Sequence, residues 1–361
     1  MKKSTCRKPM LAPHPSVGVD LGSRIATACL LDRRGRIVAM LTVGMTPAEV
    51  RTAFEQLGKE RLTILLEACG PSGWVARVLE ELGHDVLVCN PRNLKLIACS
   101  TLKTDKLDAE ILARLARLAQ MDPELVRRIN PRSRQAQVER NNLVVRDQLV
   151  TSRTRMITVV RNILCNDALA TPHCDADRFA LKVRLIAMPD DIREVITPIV
   201  DAIQRITEQV AIIEAKIERL AAGKPEAKRF RTIPGVGLLT AVAYTTTIED
   251  PARFERSRDV GPYLGITPVV RQSSDVERRG ACTKQGDKRL RRCLVQAAFG
   301  LLRSQQDCEL KQWALKVAER RGKKKAIVAL ARKIAVVMHH LWVTGEDFVP
   351  FPNRQEVNAA A

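Results

Sequence analysis

Four carboxylates carry the first chemical signal. Asp20 lies inside the apolar run Ser16-Val-Gly-Val-Asp-Leu, and Glu67 ends a second apolar run, Leu62-Thr-Ile-Leu-Leu. A carboxylate in a buried strand is costly unless it is paired, hydrogen-bonded or bound to a cation. Asp105 and Asp108 stand three apart at the start of a third apolar-periodic stretch, so on a helix they share one face. Brought together, four such groups form a hard, oxygen-rich site of the kind Mg²⁺ or Mn²⁺ prefers. Two such ions about 4 Å apart can activate a nucleophile and stabilise the leaving oxygen in phosphodiester cleavage. Taken singly, Asp105 and Asp108 also fit a plainer role, as acids at the positive end of a helix.

A second signal lies in residues 271–292, where Ser273 and Ser274 sit among Arg271, Arg278, Arg279, Lys284, Lys288, Arg289, Arg291 and Arg292. Serine is a weak nucleophile that needs activation or a strong electrophile. Neighbouring arginines can hold a phosphate and neutralise transition-state charge. The plainer reading has the two serines touching phosphate or starting a turn. His339 and His340 fall in an apolar helical stretch and are expected to pack, so no Ser-His-Asp triad is readable. Ile233-Pro-Gly-Val-Gly237 looks like the turn of a helix-hairpin-helix element, where backbone N–H groups near Gly235 and Gly237 would meet a phosphate. Lys323, Lys324 and Lys325 add a further basic cluster.

The elements that must position these groups follow from patterning. Residues 16–22 read as a strand, and 26–31 and 36–43 as a hairpin over Asp32-Arg-Arg-Gly35. Thr46, Pro47 and Glu49 are helix-start chemistry. A strand at 62–66, a helix at 75–82 and a strand at 85–89 follow. A helix at 106–119 has Leu107, Ile111, Leu112, Leu115 and Leu118 as its apolar positions. A strand with Asp, a hairpin, a strand with Glu and a helix with Asp-x-x-Asp is the layout of a ribonuclease-H-like nuclease fold. Val17 to Ser23 before a hairpin also resembles the first phosphate loop of actin-like and sugar-kinase ATPases. The second phosphate strand and Gly-rich adenosine loop of those folds are missing from this sequence.

From residue 135 the character changes. Val145, Leu149, Ser152, Met156, Val159 and Ile163 form one stripe; Ile199, Ile203, Ile206, Val210, Ile213, Ile217 and Leu220 form a heptad seam. A strict seam is narrower than a globular helix needs, which favours a coiled coil between subunits over a hairpin within the chain. The domains expected are a basic disordered arm (1–15), an α/β carboxylate domain (16–125), a helical coiled-coil linker (126–225), a mostly helical serine-bearing domain (226–346) and a disordered tail (347–361).

Composition narrows the partner. The chain has 361 residues, 60 Lys and Arg against 40 Asp and Glu, and a net charge of +20. Between Arg271 and Lys333 the net charge is +12, so the polyanion contact is local. Aromatics are 3%, too few for base stacking to dominate recognition. The ten cysteines form no CxxC pair and read as small buried hydrophobes of a reducing compartment. With no apolar run of about 18 residues and no convincing signal peptide, the expected location is the cytoplasm.

Gly18-Val-Asp20, Leu66-Glu67-Ala, Lys103-Thr-Asp105-Lys-Leu-Asp108, Ile233-Pro-Gly-Val-Gly237, Phe254 to Arg258, Tyr263-Leu-Gly-Ile-Thr-Pro268, Gln272-Ser273, Thr283 to Arg291 and Lys324 to Arg332 occur in one order. Together they resemble the DEDD-type insertion-sequence transposases of the IS110 family, the bridge-RNA-guided recombinases related to Piv-type invertases. The resemblance runs from about Val17 to Gly345. It implies a RuvC-like domain joined through a coiled coil to a serine-bearing transposase domain, and a dimer or tetramer. It implies Asp20, Glu67, Asp105 and Asp108 as the metal-binding catalytic tetrad for Mg²⁺ or Mn²⁺. It implies Ser273 as the nucleophile: the family's serine usually precedes glycine, and counting back from Gly280 leaves the usual six-residue gap. Ser274 is the alternative nucleophile. DNA element ends, target DNA and a structured guide RNA would be the partners. The competing functions are a site-specific invertase of the same superfamily, a RuvC-like junction resolvase and a non-catalytic nucleic-acid-binding protein.

Overall fold

The computed structural model describes residues 12–90, 104–126, 128–273 and 276–352. Ser274, most of the expected N-terminal arm and the last nine residues of the expected tail lie outside the described residues. The chain divides into two compact units, Met1–Arg134 and Gln135–Ala361.

The first unit is built on β1 (Ser16–Leu21), β2 (Ile25–Leu31), β3 (Ile37–Gly44), β4 (Thr63–Glu67) and β5 (Asp85–Cys89), in sheet order β3-β2-β1-β4-β5. β1, β2 and β3 are antiparallel neighbours, whereas β4 and β5 run parallel to β1. This mixed topology is compatible with a ribonuclease-H-like domain. The hairpin turns where expected, because the Asp32 carboxylate accepts the backbone N–H groups of Arg34 and Arg36, each at 2.8 Å. Helix α1 (Pro47–Glu55) starts on a reciprocal cap: Thr46 Oγ1 accepts from Glu49 N and donates to Glu49 Oε2.

Alternation along the strands sorts the core into two layers. Val17, Val19, Ile64 and Leu66 face α1 and α2 (Ser72–Glu81). Leu65, Leu87 and Cys89 pack against Leu112, Leu115 and Ala116 of α3 (Asp105–Ala119) on the other side. Residues 12–15, expected within a disordered arm, are tied down: Ala12 N donates to Arg33 O at 3.0 Å, and His14 N to Gln120 Oε1 at 2.9 Å.

The second unit begins with two 33-residue helices, α4 (Arg134–Asn166) and α6 (Asp190–Ala222), separated by the short α5 (Phe179–Arg184). They pair antiparallel within the chain. Arg146 bonds Glu214, Arg153 bonds Thr207, and Ile157, Val160 and Leu164 share a core cluster with Ile196, Val200 and Ile203. This corrects the expected seam between subunits. Ile203, Val210 and Ile217 of that seam are buried inside the chain. On α4 the inward stripe is not the expected one: Val145 and Val159 are exposed, while Arg153 is buried and paired with Asp177.

The remainder comprises α7 (Pro225–Phe230), α8 (Leu238–Ile248), α9 (Val260–Tyr263), the hairpin β6 (Pro268–Ser273) and β7 (Val276–Cys282), α10 (Lys288–Arg303), α11 (Glu309–Arg321) and α12 (Lys323–Thr344). α8 is buried from Thr240 to Ile248, and one core cluster joins it to α10, α12 and Ile217 and Ala221 of α6. The expected boundary near residue 225 therefore falls inside a continuous core. α12 is long and apolar enough to span a membrane by length and composition, contrary to the expectation of no such stretch. Its Leu330, Ile334, Met338 and Leu341 lie in that same core. The start of the expected tail is also anchored, with Phe348 N on Thr232 Oγ1 at 3.1 Å and Glu309 N on Pro350 O at 2.9 Å. Of the eight described cysteines only Cys29, Cys89 and Cys308 are buried, and Cys69 and Cys165 are exposed, so the buried reading holds for a minority.

Candidate catalytic and nucleic-acid-binding sites

In the first unit the sheet brings Asp20 and Glu67 side by side. The parallel register pairs Gly18 with Leu65 and Val19 with Leu66, so the next pair of positions is Asp20 and Glu67. Both lie at the carboxyl ends of parallel strands, where open α/β sheets place their ligands. By alternation with Gly18 and Leu65, both fall on the α3 face of the sheet. Their side chains are half-buried. Although the residue is exposed overall, partial desolvation of the Cys69 thiol raises its pKa, and the charges of Glu67 and Asp20 raise it further, so one loop feels both carboxylates. The Cys89 thiol is pushed up to about 12, mainly by burial and then by Glu67.

α3 is aligned by its packing on β1. Gln120, after its last turn, bonds Ser16 Oγ at 2.9 Å. Midway, a Cβ on Gly18 would lie 2.1 Å from Ala113 N and 2.2 Å from Ala109 O, so only glycine permits the approach. The helix therefore runs antiparallel to β1. Its first turn, with exposed Asp105 and half-buried Asp108, extends toward the strand end that carries Asp20. Thr104 caps it by accepting from Leu107 N at 3.3 Å. A pair of carboxylates at adjoining strand ends fits a hard divalent cation. Among the described residues, no three His, Cys, Asp or Glu side chains stand close enough to hold an ion together. Asp20 and Glu67 are thus brought together, and Asp105 and Asp108 lie on their face without completing a ligand set.

In the second unit Ser273 is the last residue of β6 and pairs with Val276, at the tip of an isolated two-stranded hairpin. The register sets Arg271 opposite Arg278 and Val270 opposite Arg279. The hairpin base is held by Thr283 N on Thr267 O at 2.9 Å, Lys284 N on Gly265 O at 3.1 Å, and Arg291 Nη1 on Leu264 O at 3.1 Å. Arg291, expected on nucleic acid, is thus engaged in holding the hairpin. Lys284, Lys288, Arg292, Lys323, Lys324 and Lys325 are exposed. The three lysines open α12 with no acidic residue in its first turn and no side-chain cap.

The Ile233–Gly237 turn joins α7 to α8 as expected, but its glycines differ. Gly235 has φ +86°, and a Cβ there would lie 2.4 Å from Ala297 O of α10, so it serves the packing of the turn on that helix. Gly237 is exposed and precedes α8 without a side-chain cap. His339 is buried as expected, bonded to Ser257 Oγ at 3.0 Å and Pro251 O at 2.9 Å, whereas His340 is exposed rather than packed. Sequence reasoning missed Asp147. This carboxylate on α4 accepts from both Arg289 and Arg292, more than 140 residues away. No local pattern announces a contact at that separation.

Two family models match the chain. Residues 17–166 match the DEDD transposase family of the IS110 type, and residues 227–313 match the transposase IS116/IS110/IS902 family. The transposase for insertion sequence element IS1111A of Coxiella burnetii is 27% identical over 340 residues, covering 92% of this chain and 90% of its own length. A probable family 20 transposase of Pseudomonas aeruginosa is 27% identical, covering 89% of this chain and 95% of its own. The transposase for insertion sequence element IS1328 of Yersinia enterocolitica is 26% identical, covering 79% and 85%. The matched segments contain the strand-end carboxylates, the serine hairpin and the Ile233–Gly237 turn, and the chain belongs to the IS110 family of DEDD transposases, enzymes that act on DNA.

Proposed function

We propose that this transposase excises and inserts its element by serine-dependent strand exchange assisted by a carboxylate-held divalent cation. The observation that carries the reading is the alignment of Asp20 and Glu67 at adjoining strand ends on the face toward which the acidic first turn of α3 extends. Asp20, Glu67, Asp105 and Asp108 would hold Mg²⁺ or Mn²⁺. When bound, the cation neutralises charge on the scissile phosphate and polarises it. Ser273 Oγ attacks the phosphorus of a DNA phosphodiester. The new Oγ–P bond replaces one P–O bond to deoxyribose, and the departing sugar oxygen takes up a proton. Attack by another strand's hydroxyl on the phosphoserine then restores the serine and joins the new strand. The basic residues around the hairpin and at Lys323–Lys325 hold the backbone without reading sequence. A structured guide RNA from the element supplies the base pairing, in keeping with 3% aromatic content. The working form is an oligomer of two or four subunits, although the α6 stripe is already spent within the chain.

A covalent-trapping assay tests this reading. Purified protein, Mg²⁺, the element's non-coding RNA and labelled junction DNA are mixed and run on a denaturing gel. A protein–DNA adduct lost in Ser273→Ala and kept in Ser274→Ala supports the serine and its register. Free nicked DNA that depends on Asp20, with no adduct, would point instead to hydrolysis by water and return the serine hairpin to phosphate binding.

A further inference from the structure

A cavity of about 620 Å³ opens in the second unit. α4 lines it with Arg146 and Asp147, α10 with Arg289 and Arg292, and α6 with Glu214, while the start of α8 from Gly237 forms one wall. Three guanidinium groups thus meet two carboxylates in one concave space. Asp147 Oδ2 accepts from both Arg289 and Arg292, and its Oδ1 lies 3.8 Å from Arg146. Arg146 is itself held by Glu214 at 2.7 Å. Arg289 Nη1 also donates to Leu143 O at 2.8 Å, and with five N–H donors on each guanidinium, Arg289 and Arg292 keep donors beyond these bonds. Arg289 Nε is buried with no hydrogen-bond partner, and the Arg292 side chain is 59% exposed.

Gly237 adds an independent observation. Its φ of −93° and ψ of 178° suit any residue, and a Cβ there would meet nothing within 4 Å. Neither conformation nor packing requires a glycine, yet the bare backbone leaves the start of α8 at the cavity wall without a side-chain cap. Arginine forks and helix-start amides that no side chain caps are together donors for a two-oxygen anion. A carboxylate and a backbone phosphodiester each present one negative charge over two oxygens. Asp147 therefore has the charge and the fork of the ligand these arginines suit.

We propose that this cavity takes a phosphodiester of the DNA backbone, and that Asp147 occupies Arg289 and Arg292 in its place when DNA is absent. The proposal rests on the reading that the second unit contacts DNA, and it adds a resident competitor that DNA must displace. Sequence-independent contact is expected, since a backbone phosphodiester carries no sequence information.

The test uses the full chain and a short labelled duplex, with binding followed by anisotropy across a salt series. Asp147→Asn removes the competitor and should bind roughly three- to tenfold tighter. Arg292→Gln should bind more weakly and flatten the salt slope by about 0.9, the value of one lost phosphate contact. Gly237→Asp places a capping carboxylate over the α8 amides. It should unfold at the same or a higher temperature than the unmodified chain and yet bind DNA more weakly. That split separates the proposal from misfolding. Unchanged affinity in all three variants, with binding lost in Lys323→Ala/Lys324→Ala, would overturn the cavity and leave the wider DNA-binding reading standing. No duplex binding by the unmodified chain would overturn both. Inorganic phosphate that competes as well, charge for charge, as DNA would overturn the backbone as the ligand.

Discussion

Gly18 in β1 rests directly on the backbone of Ala109 in α3, close enough that a methyl group on Gly18 would stand 2.2 Å from the Ala109 carbonyl oxygen. The atoms in the way are main chain, so neither side can move without displacing strand or helix. Gly18→Ala should destabilise the first unit by about 3 kcal/mol. Urea unfolding followed by circular dichroism measures this; a midpoint unchanged from the parent would contradict the packing described.

The first turn of α3 depends on Thr104, whose hydroxyl accepts from Leu107 N. Thr104→Ala should cost about 1 kcal/mol. Native-state hydrogen exchange at Leu107 and Asp108 should quicken by roughly fivefold, while amides near Ala116 keep their protection. Uniform acceleration along the helix would mean the cap carries more than its own turn.

Ile203 and Val159 distinguish the two uses of the long helices. Ile203 is fully buried among α4, α5 and α6, and Val159 is exposed. Ile203→Ala should lower stability by 2–5 kcal/mol, within the range of about that size for buried aliphatic truncation. Val159→Asp should change it by less than about 0.5 kcal/mol. Sedimentation velocity on both variants supplies the control: subunit dissociation by Ile203→Ala without loss of stability would restore the intersubunit seam.

Tyr244 gives a pH dependence. It is fully buried, with Phe230 5.2 Å away ring to ring, and its hydroxyl donates to Ala335 O at 2.7 Å. Burial pushes its phenol well above the ordinary 10.0. The folded chain therefore keeps a proton that the unfolded chain releases above about pH 10. The resulting stability is fully present below that pH and declines as pH rises past it, by up to about 1.4 kcal/mol per unit. Tyr244→Phe should lose about 1 kcal/mol at neutral pH, because the buried hydrogen bond to Ala335 O is lost, and should also lose this alkaline slope. Equal slopes for parent and variant would assign the decline to other groups.

Much of the first unit was legible because its signals are local. Asp32 and Gly35 bound a hairpin, Thr46 with Glu49 starts a helix, and short apolar runs around Asp20 and Glu67 mark strands. The second unit was less legible because its decisive contacts are distant or polar. Counting apolar residues on α4 selected Val145 and Val159, whereas the buried side contains Arg153, paired with Asp177 and Thr207. Periodicity sees only hydrophobic burial, and a guanidinium that finds its partners in the fold escapes it. Phe348 is a milder case. In a chain with seven phenylalanines, two of them beyond the last helix, a packing role for Phe348 was to be expected, and it packs against the core. The opposed roles of Gly235 and Gly237 needed coordinates, since both occupy the same five-residue motif.

Three lysines open α12, at the end of a helix whose own dipole is positive. Each cation there opposes the fold by about 0.3–1 kcal/mol at low ionic strength. Salt screens that opposition, with a Debye length of about 10 Å at 0.1 M. The same salt weakens attraction to a polyanion. Storage and activity therefore pull in opposite directions: the buffer that best preserves this corner of the enzyme is the one in which it holds DNA least firmly.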